Sequence, residues 1–142
     1  MQASSLKVED LIPHRPPMVL IDSVESLDLA AGRIEVSFTA RERWRGNWFA
    51  IEYMAQAAAA LAGAFDRAAD ADAARRPGFL LGTRRLDLGI AQFLPGVKYR
   101  VSAVREYVDG DSAAFACEIS EAGDRAGGKK CAATLTAYRP PL

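Results

Sequence analysis

The chain has 142 residues, 50% of them hydrophobic and 25% charged, and its 18 Lys plus Arg balance its 18 Asp plus Glu. That is one domain's length in ordinary globular usage, enough to bury about 68–70% of the unfolded surface without metal or disulfide staples. Disorder and collagen-like repeats are excluded, and zero net charge leaves no electrostatic footprint for nucleic acid or an anionic membrane.

Leu6, Leu11 and Ile12 lie among charges in residues 6–12 and predict one or two helical turns. Pro13, Pro16 and Pro17 end them, because proline removes a donor and restricts its predecessor. Residues 18–27 (MVLIDSVESL) read as a mostly buried strand, and Ala31-Gly32 as a turn. In residues 33–40 Ile34, Val36 and Phe38 alternate with Arg33, Glu35 and Ser37, the pattern of a half-buried strand.

A polar loop over 41–47 follows, with Asn47 as the expected N-cap. From Trp48 to about Ala69 the period becomes helical. Ile51, Met54, Ala58, Leu61 and Phe65 form one apolar stripe, and alanines crowd the other faces. A helix apolar nearly all round is a buried helix. Residues 66–78 are its charged exit.

Strands are then expected at 78–89, 97–108, 112–120 and 129–138, with turns at Asp109-Gly110 and Ala126-Gly127-Gly128. The order is a short helix, two strands, one long helix and four strands. An antiparallel sheet around one central helix fits this α+β order. A free sheet edge predicts a homodimer.

The longest apolar stretch, residues 55–64, is far short of the roughly 20 residues of a spanning helix. The first 15 residues carry no apolar signal segment. A cytoplasmic protein with no membrane span is expected. Cys117 and Cys131 lack CxxC spacing, and with only one His the chain offers them no zinc partners. They read as buried free thiols.

His14, the only histidine, sits between prolines in Pro13-His14-Arg15-Pro16-Pro17. It is either structural or a rigidly held general base, since imidazole titrates near neutral pH. Glu52 opens an otherwise apolar helix. It either complements the helix N-terminus or serves as a catalytic acid. Gln56, one turn on, faces the same way and can bond Glu52 or orient a substrate. The free N–H groups from Trp48 to Ile51 can polarise a carbonyl. The tracts Arg41-Glu42-Arg43 and Arg84-Arg85 are solvated residues, or a dock for the phosphate of a pantetheine arm.

These residues resemble a known family. Residues 11–24 (LIPHRPPMVLIDSV) are similar to the opening of the 3-hydroxyacyl-[acyl-carrier-protein] dehydratases. Residues 51–57 (IEYMAQA) resemble their helix motif, and residues 93–99 (FLPGVKY) their later strand entry. The resemblance implies a hotdog fold in a single domain over 1–142, with a long helix wrapped by a curved antiparallel sheet. It implies loss of water from a 3-hydroxyacyl thioester, carried by an acyl carrier protein or coenzyme A, to give the trans-2-enoyl thioester. No metal or redox cofactor is expected.

The resemblance carries Glu52 over as the catalytic acid, and His14 is expected to take the place of the family's usual loop histidine as the base. Substrate contacts fall on Gly46, Asn47, Trp48, Phe49, Gln56 and Phe93, and an apolar tunnel on Phe49, Met54, Phe79, Leu80 and Phe93. The family's usual His-Phe-Pro-Gly loop is missing from residues 38–47. The start at residues 48–52 (WFAIE) resembles the dehydratase-related proteins of aryl-polyene pigment clusters, which keep the N-terminal proline-histidine. The departure leaves two alternatives: a non-catalytic acyl-binding subunit of a heterodimer, and an acyl thioesterase.

Overall fold

The computed structural model describes residues 6–124 and 128–140. Helix α1 (Val8–Leu11) is followed by strands β1 (Ser23–Asp28) and β2 (Arg33–Thr39). A short 3-10 turn (Glu42–Trp44) leads into the long helix α2 (Phe49–Ala69). Strands β3 (Phe79–Leu88), β4 (Lys98–Asp109), β5 (Ser112–Glu121) and β6 (Cys131–Tyr138) complete the chain. The strands form one antiparallel sheet in the order β1-β2-β4-β5-β6-β3. α2 packs against β4, β2, β5 and β6. This is the expected α+β arrangement.

The core lies where the alternation of β2 meets the helix. Ile34, Val36 and Phe38 are buried, as are Tyr53, Met54, Ala57 and Leu61 of α2. Phe38 stacks on Tyr53 with centroids 3.6 Å apart, and Phe93 meets both edge-on at 5.5 and 5.2 Å. Each fully buried large side chain is worth about 1.5–3 kcal/mol, and each aromatic pair about 0.5–1.5 kcal/mol more. α1 lies directly on α2 because Gly63 has no side chain: a Cβ there would collide with the Leu11 carbonyl. Cys117 and Cys131 are buried free thiols, and burial pushes the Cys117 thiol up to about 12.

Three local expectations change. The first strand begins at Ser23, not at 18. Leu20 and Ile21 are buried, but their segment is held by the Gln56 side chain and by the Asp22 N–H donating to Ser37 O. Asn47 does not cap α2. Trp48 holds that place without a side-chain cap, and Asn47 Nδ2 donates to Ile90 O instead. Ser37, expected on the solvent side of β2, is buried beneath Ser23 and Glu25, which bond its hydroxyl. The expected turn at Ala126-Gly127-Gly128 lies partly outside the described residues.

β3 stands at one edge of the sheet and is exposed over most of its length. Phe79, Leu80, Leu81 and Leu86 are all exposed on it. No helix of the described residues is long and apolar enough to cross a membrane.

Candidate active site

His14 is carried on a proline-braced arm between α1 and β1. The Arg15 guanidinium folds back to donate to the Ile12 and His14 carbonyls at 3.1 and 2.6 Å. The Met18 N–H donates to Arg15 O and closes the turn. Glu52 stands in the first turn of α2. The arm brings His14 Nε2 to 3.7 Å from Glu52 Oε1, with the two side chains 30% and 38% exposed. That separation is too long for a direct hydrogen bond and short enough for both groups to act on one small substrate. His14 Nδ1 is buried and has no partner among the described residues. A base acting through Nε2 carries its proton on Nδ1. An unpaired buried N–H costs about 1–3 kcal/mol.

Gln56, one turn after Glu52 on α2, is fully buried. Its Oε1 accepts from the Leu20 N–H at 2.9 Å. Its Nε2 donates to Met18 O and to Glu52 Oε1, both at 2.8 Å.

A groove of about 440 Å³ runs from His14 and Glu52 along α2. Glu52, Ala55, Ala59, Ala62 and Asp66 share this face of the helix, at offsets of 3, 7, 10 and 14 from Glu52. With a rise of 1.5 Å per residue the face is about 21 Å long. The alanines keep it open, because a methyl fills little of the space beside the sheet. Phe79, Leu80, Val108, Phe115 and Leu135 form the opposite wall. At the far end Arg139 holds Asp66 with two hydrogen bonds, at 2.5 and 3.1 Å. There Arg105 lies 3.6 Å from the Phe65 ring centroid.

Most of the other expected contacts do not line this groove. Phe93 is sealed in the aromatic core and Met54 beside it is buried, so neither lines the groove. Phe49 is half-buried against Trp44, with centroids 5.2 Å apart. Gly46 is buried and bridges Gln92. Trp48 is 67% exposed. The Phe49 and Ala50 N–H groups already donate to Gly46 and Asn47 carbonyls, so they are not free for a substrate oxygen. Phe79 and Leu80 do line the groove, as expected. Arg41 pairs with Asp22, and Arg84 and Arg85 are exposed on β3. Among the described residues no cluster of three or more His, Cys, Asp or Glu is placed to hold a metal ion.

Sequence reasoning missed the alanine floor and the Asp66–Arg139 closure. The floor has a signal: alanines recur at helical spacing from Glu52, one position away from the apolar stripe. The closure has none, since it joins the end of α2 to the segment after β6.

The sequence matches the family model of the ApeP-like proteins, described as ApeP dehydratase, over residues 6–142. No curated protein matches it. Among solved structures, the dehydratase heterocomplex ApeI:P from Xenorhabdus doucetiae is similar with a TM-score of 0.81 and 26% identity, covering 96% of this chain and 92% of that one. The HP0420 homologue from Helicobacter felis is similar with a TM-score of 0.67 and 12% identity, covering 94% and 88%. A hypothetical thioesterase with coenzyme A from Streptococcus pneumoniae TIGR4 follows with a TM-score of 0.63 and 10% identity, covering 84% and 86%. At those identities the last two share the fold alone. The fold is the hotdog.

Proposed function

The chain belongs to the ApeP-like dehydratase family, and from that premise we propose that it removes water from a 3-hydroxyacyl thioester to give the trans-2-enoyl thioester. The observation that carries this reading is the approach of His14 Nε2 to Glu52 Oε1 at the head of an apolar groove. His14 takes the proton from C2 through Nε2. The C2–H electrons form the C2–C3 double bond, and the C3–O bond breaks. Glu52 gives its proton to the departing hydroxyl, which leaves as water. One proton then returns from His14 to Glu52 through one water, which restores both groups. A matched acid and base typically contribute roughly 10²–10⁴-fold each.

The acyl chain lies on the alanine floor of α2, with the whole chain acting as one domain. The thioester is borne by coenzyme A or a carrier protein. Trp48, exposed four residues before Glu52 on the same helix face, is the proposed contact for the pantetheine arm.

A second reading concerns the assembly. The similar structure from Xenorhabdus doucetiae is a heterocomplex, and β3 exposes Phe79, Leu80 and Leu81 at a free edge. We take this edge as the place where a second copy, or a related subunit, adds its own strand.

The test is mass spectrometry of 3-hydroxyacyl thioesters incubated with wild type, His14→Ala and Glu52→Gln. Loss of one water by wild type alone supports the pair. A free acid product moves the assignment to thioester hydrolysis. No turnover at any chain length assigns the chain as a binding subunit of a heterodimer.

A further inference from the structure

We propose that Arg105 reads the far end of the acyl chain, so that the groove selects 3-hydroxyacyl thioesters whose last carbon is a carboxylate. The proposal rests on the dehydration reading above and names the substrate class of that site.

Strand β4 shows Arg105 where an apolar residue belongs. Tyr99, Val101 and Ala103 alternate into the core. Arg105 is the next residue on that face, and the period-2 pattern calls there for another apolar side chain. Its cross-strand partner is Phe115, and its guanidinium carbon lies 3.6 Å from the centroid of the Phe65 ring on α2. A cation set among apolar side chains is costly unless its donors are engaged.

Phe65 engages only part of it. A ring attracts a cation through its face, whereas the five N–H donors lie in the guanidinium plane. The other two guanidinium groups at this end of the groove have oxygen partners. Arg139 holds Asp66, and Arg76 donates to Pro140 O at 2.5 Å. Arg105 makes no ion pair and no side-chain hydrogen bond among the described residues.

The groove is apolar along its alanine floor and turns cationic only at this end. Arg76, Arg105 and Arg139 share the lining there with the carboxylates of Asp66 and Asp111, so one positive charge is left over. A methyl end arriving beside Arg105 would strip water from the guanidinium and return no hydrogen bond. A carboxylate end would accept two parallel N–H bonds from it.

The distance sets the chain length. Phe65 follows Glu52 by 13 residues, about 20 Å along α2 at 1.5 Å per residue. An extended chain advances about 1.2 Å per bond, so about 16 bonds cover that distance, and fewer suffice once the Arg105 stem reaches toward the chain's end.

The test uses length-matched pairs of 3-hydroxyacyl coenzyme A esters, twelve to eighteen carbons long, that differ only in ending as methyl or as carboxylate. Dissociation constants are measured by calorimetry on Glu52→Gln, with and without Arg105→Met. The carboxylate-ended member should bind about tenfold to a hundredfold more tightly, the range of a hydrogen bond between charged groups. That advantage should shrink as salt is raised and vanish with Arg105→Met. In parallel, kcat/KM should favour the carboxylate-ended ester in wild type, favour the methyl-ended one in Arg105→Met, and keep part of the wild-type preference in Arg105→Lys. Equal dissociation constants at every length overturn the role of Arg105, and so does a carboxylate preference that survives Arg105→Met in a folded protein. If Arg105→Met does not fold, the ester pairs on the protein with Arg105 intact, and on Arg105→Lys, still decide. Turnover with no carboxylate preference overturns this proposal and leaves the dehydration reading standing. Carboxylate-preferring binding with no wild-type turnover of either ester overturns the dehydration reading and supports Arg105 as the residue that reads the chain end.

Discussion

His14 and Glu52 face each other across 3.7 Å, although one stands on a loop before the first strand and the other on the long helix after the second. In the proposed dehydration one takes a proton from C2 and the other gives one to the C3 hydroxyl, and this spacing lets both reach the same substrate. The pair comes from a single chain, so its geometry depends on how the 13–22 segment lies over α2.

The pair should be needed for chemistry and dispensable for folding. His14→Ala and Glu52→Gln should each lower kcat by on the order of 10²–10⁴. Both side chains are about one-third exposed, so thermal unfolding should move little. Turnover by mass spectrometry and a melting curve on the same samples check this.

The alanine floor should set acyl-chain length. Ala59→Leu or Ala62→Leu should block the groove partway from Glu52 to Asp66 while leaving the catalytic end untouched. Long-chain 3-hydroxyacyl thioesters should lose about 10–200-fold in kcat/KM for each methylene that no longer fits, and short ones should keep theirs. A competition assay with mixed chain lengths reads this directly.

Phe93 should matter for stability alone. It is sealed against Phe38, Tyr53 and Tyr99. Phe93→Ala should cost about 3–5 kcal/mol in urea unfolding, through lost transfer energy and a cavity. The folded fraction should keep the wild-type chain-length preference, which a substrate contact would not allow.

Glu25 gives a pH dependence of known sign. The Ser37 hydroxyl at 2.5 Å holds its carboxyl below the ordinary range against the opposing effect of partial burial, and Lys98 and Ser23 add to the lowering. The unfolded chain therefore binds a proton at Glu25 more readily than the folded one. The stability it supplies is complete above the ordinary carboxylate range and is lost as pH falls through the lower folded value. Glu25→Gln should weaken the fall of melting temperature between about pH 5 and pH 3, with a small effect because Lys98 and Glu25 are both solvent-accessible.

The β3 edge should carry assembly. Leu81 is 61% exposed there. Leu81→Lys, placing a charge on an edge that would otherwise pair, should shift the protein toward monomer in analytical ultracentrifugation. A wild-type monomer would remove this reading.

Element order and type were legible because periodicity survives in a single sequence. The alternation of Ile34, Val36 and Phe38 and the helical run from Trp48 reappear as β2 and α2. The start of the first strand was not legible. Residues 18–22 are as apolar as a strand, yet they run over the helix because Gln56 offers them hydrogen bonds that replace a ladder. Asn47 has the chemistry of an N-cap and the structure uses it for Ile90. Local propensity gives way there to a partner distant in sequence.

In the candidate site the same division holds. Glu52 and Gln56 lie four apart, so their contact is a matter of helical spacing alone. The sequence by itself determined that pair, the rigid proline setting of His14, and an alanine-rich helix among strands. Only the tertiary structure decided that His14 meets Glu52, that Phe93 goes to the core, and that Arg139 closes the groove on Asp66. Periodicity records which side of an element is apolar. Which neighbour covers that side is decided by contacts between residues far apart in the chain, and no local pattern encodes them.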